Sequence, residues 1–215
     1  MKLPLTQNER TTIVKTFVKN AVSGLALSAL FLVVMSAPTQ AQVLSHSGEI
    51  AGTVGYDHTS FTSNPVSIAY PTSTHFFGGS GGYNVTPYIT ALGEYKYDPL
   101  NYPASYAYTY YTQLYGGAAR FNLTPSKKIV PYAIVGVGGY RITVSGNDMV
   151  KSYNGYYVNF GGGVSVYCGK HWGVRPEVRY ERQHVTAGLQ TVTANVADVS
   201  GSIFYQFGGT GKKKK

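Results

Sequence analysis

The sequence predicts an all-β fold: an eight-stranded antiparallel up-and-down transmembrane β-barrel, preceded by a signal peptide. The first observation lies in Gly173–Arg182, where charged and uncharged residues alternate from Val174 to Glu181. That pattern is typical of a strand, because successive side chains point to opposite faces. The second is a charged content of 13%, against about 25% in soluble domains. The third is that mean hydropathy is only −0.10, with no long apolar run after residue 41 to form a spanning helix.

Residues 1–41 have the composition of an export signal. Four basic residues precede an apolar run over 21–35, and a segment of small residues ends at Ala41. This order of a basic, an apolar and a small-residue region predicts cleavage after Ala41. A retained membrane anchor is the alternative, although the apolar run is short for a helix that crosses a bilayer.

The rest of the chain is predicted to be one domain. We expect an N-terminal lead over 42–48, the barrel over 49–207 and a basic tail over 208–215. The formal net charge of +9 is concentrated in the signal and in Lys212–Lys215, so it is weak support for nucleic-acid binding, and none is expected. The only cysteine is Cys168, which excludes an intrachain disulfide framework.

The first four strands are predicted by alternation and by glycine content. Glu49–Asp57 alternates apolar with polar and acidic residues, whereas His75–Tyr83 is rich in glycine and has no clear phase. Tyr88–Tyr97 places Thr, Glu and Lys opposite apolar residues. Tyr111–Phe121 places a single arginine opposite aromatic residues and alanine.

The last four strands follow the same rule. Val130–Val144 carries Tyr and Ile on one face, with an arginine and a threonine on the other. Tyr156–Tyr167 alternates Val and Phe with Asn and Ser. In Gly173–Arg182, Arg175, Glu177, Arg179 and Glu181 share one face, opposite Val174, Pro176, Val178 and Tyr180. Asp198–Phe207 alternates apolar residues with Ser and Gln.

The connections alternate in length along the chain. Short links lie at 84–87, 122–128 and 168–172, and long links lie at 58–74, 98–110, 145–155 and 183–197. Alternate connections of an up-and-down barrel share one end, and bacterial outer-membrane barrels have short periplasmic turns and longer extracellular loops. The sequence therefore predicts four long extracellular loops.

The polar faces of these strands predict a charged interior. The expected network comprises Glu49, Asp57, Glu94, Lys96, Arg120, Arg141, Arg175, Glu177, Arg179, Glu181 and Asp198. Five positive and six negative groups are nearly balanced, as an interior of low dielectric constant requires. Because an eight-stranded barrel is just wide enough for side chains to fill, we expect a filled lumen without an open pore.

Tyrosines on the apolar faces predict an aromatic girdle. The expected members are Tyr56, Tyr95, Tyr132, Tyr140 and Tyr180. Tyr132 and Tyr140 are eight positions apart on one face, which spans about 20 Å of the membrane normal and approaches the ~25 Å apolar band of such barrels. The alternative is that tyrosine simply favours strands.

Several motifs carry a family resemblance. They are Pro131-Tyr132-Ala133, Gly136–Tyr140, Asn159–Gly163, Gly173–Tyr180 and Ile203–Phe207. Over about residues 45–207 the chain resembles the small outer-membrane β-barrel superfamily, of the opacity-protein and outer-membrane-protein-A transmembrane-domain type. The resemblance implies a location in the bacterial outer membrane, with membrane lipid and the barrel-assembly machinery as partners.

The resemblance also assigns a role to the end of the last strand. Family barrels usually end on an aromatic residue that the assembly machinery reads, and here Ile203, Tyr205 and Phe207 have the spacing of that insertion signal. The tail Gly208–Lys215 follows it, which departs from the family pattern.

The second long link is the most distinctive stretch expected outside the membrane. It contains or adjoins Tyr97, Tyr102, Tyr106, Tyr108, Tyr110 and Tyr111. Tyrosine gives rigid amphipathic contact area and is favoured at binding surfaces, so these residues suggest contact with an unknown surface ligand or a host or cell-surface partner. The alternative is that they extend the outer aromatic girdle.

No pattern indicates catalysis, a metal or a cofactor. The glycine clusters at 78–82 and 161–163 lack a following Lys-Ser/Thr and a strand–helix context. The five histidines have no ligand spacing. A pair such as His184 with Ser200 would be the minimum for an enzyme. We therefore expect no catalytic residue, no metal and no cofactor.

Three function classes remain for the chain. The first is a structural or surface-interaction barrel with a filled lumen, possessing an adhesive role through its outer loops. The second is a narrow channel for ions or small solutes. The third is a soluble periplasmic ligand-binding barrel of the lipocalin type, which requires apolar residues inside and charges outside.

Overall fold

The computed structural model describes residues 43–63, 73–100, 109–146, 149–187 and 190–210. The predicted features that lie outside the described residues are the signal peptide 1–41, the tyrosines Tyr102, Tyr106 and Tyr108, and the tail lysines Lys212–Lys215.

Eight strands form one closed sheet. They are β1 (Ser45–Ser63), β2 (Ser73–Asn84), β3 (Ile89–Leu100), β4 (Thr109–Asn122), β5 (Ile129–Gly146), β6 (Met149–Tyr167), β7 (Trp172–Ala187) and β8 (Gln190–Thr210). Each strand pairs antiparallel with the next, and β8 pairs antiparallel with β1. The predicted eight-stranded antiparallel up-and-down barrel is therefore confirmed. No helix among the described residues is long and apolar enough to cross a membrane.

The two ends of the barrel differ. Links 85–88, 123–128 and 168–171 lie at one end together with the start of β1 and the finish of β8, and we call this the turn end. The opposite end is the hairpin end. At the turn end, the backbone N–H of Val43 donates to the Pro125 carbonyl oxygen at 2.9 Å, which holds the segment before β1 against the β4–β5 link.

Two of the predicted long loops are wrong. Gly146 pairs with Met149 and Ala187 pairs with Gln190, so the links at 145–155 and 183–197 shrink to two residues each. The alternation of apolar and polar residues ends where the apolar wall ends, because a strand that continues into water can be polar on both faces. The sequence therefore marked the edge of the apolar wall and not the end of the strand.

Other strand bounds also differ from the predicted ones. β3 runs to Leu100 and β4 begins at Thr109, so Tyr97, Tyr110 and Tyr111 lie in strands and not in a loop. β1 already begins at Ser45, inside the expected lead, and β8 continues to Thr210, into the expected tail.

The strands are longer than a bilayer requires. A tilted spanning strand needs about 9–11 residues, whereas β1 and β6 have 19 and β8 has 21. At about 3.3 Å per residue and a tilt of about 40°, β8 extends roughly 50 Å along the barrel axis. The apolar band covers only about half of that length.

The distribution of side chains is inverted relative to a soluble barrel. Large apolar residues such as Ile50, Val137 and Ile203 are exposed on the outer wall, and charged residues such as Glu49 and Arg120 are buried inside. Burying charge while exposing apolar surface is favourable only where lipid covers the wall. This arrangement contradicts the lipocalin-type alternative.

Several glycines lie where neighbouring backbones approach closely. A Cβ atom on Gly116 would lie 2.5 Å from the Val137 carbonyl oxygen and 2.6 Å from the Tyr157 hydroxyl. A Cβ atom on Gly201, on the outer wall, would meet nothing within 4 Å. The glycine at 116 therefore serves packing, whereas packing does not require the one at 201.

Gly116→Ala is expected to lower the free energy of unfolding by about 1–3 kcal/mol, because the backbone oxygen of Val137 cannot yield as a side chain would. Gly201→Ala is the matched control and should change it by less than about 1 kcal/mol. Urea unfolding in lipid vesicles, followed by the fluorescence of the only tryptophan, Trp172, measures both. Equal effects of the two variants would contradict the assignment.

Candidate functional site

The first layer of the lumen is an ion-pair triad near the turn end. Arg120 donates from Nη1 and Nη2 to the two carboxylate oxygens of Glu49, at 2.9 and 2.8 Å. Arg175 Nη2 donates to Glu49 Oε1 at 2.8 Å. The three residues lie on β4, β1 and β7, and all are nearly inaccessible to solvent. Because β4 is not adjacent to β1, the triad reaches across the lumen.

The second layer is centred on Arg179. Its Nη1 and Nη2 donate to the two carboxylate oxygens of Glu94, both at 2.7 Å, and its Nε donates to Glu177 at 2.5 Å. The Tyr132 hydroxyl donates to the other oxygen of Glu177 at 2.7 Å. These contacts join β7, β3 and β5 across the interior.

The third layer is centred on Lys96. Its Nζ lies 2.8 Å from Asp57 Oδ2 and 3.0 Å from Asp198 Oδ2, and 4.3 Å from the centre of the Phe76 ring. Asp57 and Asp198 are direct cross-strand partners on β1 and β8. Like charges in that position repel one another, so the ammonium between them stabilises the pair.

The charge balance of the lumen differs from the predicted one. Arg141 was expected inside, but it is exposed on the outer wall, where its Nε donates to Asn154 Oδ1 at 3.1 Å. Asp98 was assigned to a loop, but it is buried inside and accepts a hydrogen bond from Thr74 at 3.0 Å.

Among the described residues, the interior therefore holds seven carboxylates and four cations, and the near-balance predicted from the sequence is wrong. One oxygen each of Asp57, Asp98 and Asp198 is buried without a hydrogen-bond partner. These three carboxylate oxygens lie on the hairpin side of the lumen.

Apolar clusters separate the charged layers. At the turn end Val43, Val130, Tyr167 and Phe204 pack together and close the mouth of the barrel. Two further clusters lie higher in the lumen; they contain Leu92, Tyr132 and Ile134, and Leu114, Tyr140, Ile142, Tyr157 and Val185. The lumen is thus filled by alternating apolar and ionic contacts.

The predicted girdle is wrong for Tyr132 and Tyr140, which are buried in the lumen. Both faces of β5 are apolar, so alternation did not show which face meets lipid. The packing gives the reason: the Tyr132 ring covers Gly163 on β6, where a Cβ would lie 2.5 Å from the hydroxyl. Large side chains that pack against glycines on the neighbouring strand fill a narrow barrel without clashes.

The other predicted girdle residues, Tyr56, Tyr95 and Tyr180, are exposed on the outer wall towards the hairpin end. The pattern did not identify further aromatic residues beside them, Phe77, Tyr115 and Tyr156. A second set surrounds the turn end and consists of Tyr83, Tyr88, Phe121, Trp172, Tyr205 and Phe207. Ile203, Tyr205 and Phe207, the expected insertion signal, all face outwards.

The remaining interior space is small. A cavity of about 70 Å³ borders all three charged layers, and its lining includes Arg120 and Arg175, Glu94 and Arg179, and Lys96 and Asp198. Since a water molecule needs roughly 10–15 Å³ by this measure, the cavity has room for a few waters. It has no room for a solute of metabolite size.

The described residues offer little else for chemistry. No group of three or more His, Cys, Asp or Glu within them could hold a metal ion. His184 lies on the outer face of β7 and contacts Thr193 at 3.2 Å, whereas Ser200 borders the lumen, so they do not form a pair. Partial burial raises the pKa of the Cys168 thiol in the link 168–171, which lowers the fraction of reactive thiolate.

Solved structures with a similar fold are outer-membrane barrels. Neisserial surface protein A is 13% identical, with a TM-score of 0.60 over 74% of this chain and 97% of that chain. The N-terminal β-barrel domain of Pseudomonas aeruginosa OprF is 17% identical, with a TM-score of 0.50 over 76% of this chain and 99% of that domain. A third structure is Ail, the attachment invasion locus protein of Yersinia pestis, in complex with the heparin analogue sucrose octasulfate. It is 13% identical, with a TM-score of 0.50 over 74% of this chain and 99% of that chain.

At these identities the similarity shows the fold alone. No curated protein matches the chain. The family model described as "Outer membrane protein beta-barrel domain" matches residues 27–209, which is most of the sequence. With its inverted side-chain distribution and closed eight-stranded sheet, the chain belongs to the outer-membrane β-barrel domain family.

Proposed function

We propose that this outer-membrane barrel has a structural or surface-interaction role and does not transport solutes. The observation that carries the proposal is the set of ion pairs that cross the lumen. Glu49, Arg179 and Lys96 each bind charged partners on other strands, and together they obstruct the interior at three heights.

The turn end is assigned to the periplasm and the hairpin end to the outside. Both ends of the described chain lie at the turn end, and the segments between the apolar wall and the hairpin tips are long even where the link itself has two residues. This matches the short periplasmic turns and longer extracellular segments of bacterial barrels. The extended hairpins are then the surface available to a partner outside the cell.

Planar-bilayer recordings test the closed lumen. The native chain is expected to show no discrete openings, because the Arg179–Glu94 ion pair crosses the lumen and the interior cavity is only about 70 Å³. The double variant Glu94→Ala and Arg179→Ala removes the main ion pair of the second layer only, so the first and third layers should keep this variant closed as well. Stable, uniform openings of the native chain would contradict the proposal.

A narrow channel is the second candidate function. The excess of acidic groups in the lumen favours a cation-selective channel only. Seven carboxylates against four cations in the described interior would attract cations and repel anions. If the native chain conducts, its reversal potential in a salt gradient should show cation selectivity. An anion-selective current would contradict this candidate as well.

A further inference from the structure

The outer wall of β5, β6 and β7 carries positive charge where the apolar wall ends. Arg141 on β5 and Arg182 on β7 both point outwards and are exposed. Arg182 is the next outward residue after Tyr180, and Arg141 follows the outward series Val135, Val137 and Gly139. Both guanidinium groups therefore lie at the level of the aromatic residues that mark the membrane interface.

Neither guanidinium has an acidic partner among the described residues. Arg141 donates from Nε to Asn154, which leaves its two terminal nitrogens available. Arg182 makes no hydrogen bond or ion pair with any described residue. Every carboxylate in the described ranges faces the lumen. Within the described residues, the positive charge on this wall is thus not neutralised.

An aromatic surface joins the two arginines. The rings of Tyr156 and His184 stack with centroids 4.9 Å apart, and these two residues are direct partners on β6 and β7. Arg141 pairs with Asn154 and Arg182 with Val158, which are four positions apart on β6. With strands about 4.8 Å apart, the two Cα atoms are separated by roughly 16 Å. We call Arg141, Asn154, Tyr156, Arg182 and His184 the outer cationic patch.

We propose that the outer cationic patch binds the phosphorylated headgroup of a glycolipid in the outer leaflet. Guanidinium groups match phosphate oxygens with paired hydrogen bonds, and here they lie at headgroup depth with no competing carboxylate among the described residues. Two arginines about 16 Å apart fit a headgroup with two separated phosphates better than one with a single phosphate. The stacked rings between them offer a flat surface for the sugar.

The inference rests on the proposed orientation, in which the hairpin end is outside. It does not depend on whether the lumen conducts. Barrel integrity is checked separately by gel mobility with and without boiling, because a folded membrane barrel resists the detergent and shifts on heating. A lost shift would thus report a failed fold and not a failed site.

The test uses native mass spectrometry of the chain extracted from membranes, titrated with lipid A that carries two phosphates. The double variant Arg141→Gln and Arg182→Gln is expected to bind it roughly tenfold or more weakly, since each basic residue near a charged membrane surface contributes about a fivefold factor. The matched control is Lys127→Gln with Lys170→Gln, which removes the same charge from exposed residues at the turn end and should leave binding unchanged.

Three results would overturn the proposal. One is equal binding of lipid A after its phosphates are removed. Another is an equal loss of affinity in the control variant, which would indicate attraction by net charge only. The third is tighter binding of phosphatidylglycerol than of lipid A, which would assign the patch to a phospholipid.

Discussion

Replacing Glu49 by glutamine is expected to lower the free energy of unfolding by about 3–5 kcal/mol, which is the usual cost of removing one partner from a buried ion pair. Glu49 accepts hydrogen bonds from both Arg120 and Arg175, and all three side chains are buried. A neutral amide would leave two guanidinium groups in an interior of low dielectric constant without a compensating charge.

The measurement is urea unfolding in lipid vesicles, followed by the emission of Trp172. Arg141→Gln is the matched control, because it removes an exposed charge on the outer wall and should cost less than about 1 kcal/mol. Adding Arg120→Gln to the Glu49→Gln variant should restore part of the loss, since only Arg175 then remains unpaired. If the Glu49→Gln variant has the same urea midpoint of unfolding as the native chain, the triad does not stabilise the barrel.

Val135→Arg is the second substitution with a large expected effect. Val135 lies outwards in the middle of the apolar series of β5 and is 48% exposed. An arginine at the centre of the lipid-facing wall costs about 2–4 kcal/mol, and the cost falls to about 0–1 kcal/mol near the interface.

Val150→Arg is the control for this substitution, with the same chemical change. Val150 is 69% exposed and lies on β6 near the hairpin tip, beyond the aromatic residues, so its replacement should have little effect. Folding yield into vesicles and urea midpoints compare the two variants. Similar losses at both positions would show that lipid does not cover the wall around Val135.

The sequence predicted the fold because most strands have one charged and one apolar face. β7 is the clearest example: Arg175, Glu177 and Arg179 were expected to share a face, and all three take part in cross-lumen contacts. The number of strands and their order followed from the same alternation, together with the links between them.

The side of β5 could not be predicted, because both of its faces are apolar. The single charge on this strand, Arg141, was taken to mark the lumen, but the lumen there is filled by Tyr132 and Tyr140. Which face lies inside depends on Gly163 and other glycines of the neighbouring strands, and their proximity becomes known only once the strands are paired.

Asp98 and the hairpin tips were missed for a related reason. Pro99 follows Asp98 and indicates a turn in isolation, yet β3 continues through it to Leu100. The strand segments beyond the membrane have polar residues on both faces, so they lack the pattern that identifies a strand. The acidic excess of the lumen therefore became visible only in the structure.

The pairing of β1 with β8 has a consequence for biogenesis. Seventeen residue pairs, from Ser45–Thr210 to Ser63–Thr193, join the two ends of the sequence. Without β8, strands β1 to β7 would form an open sheet with two unsatisfied edges, which lipid does not tolerate. Closure of the barrel in a bilayer therefore requires the complete chain, because the first strand has no other partner for this edge.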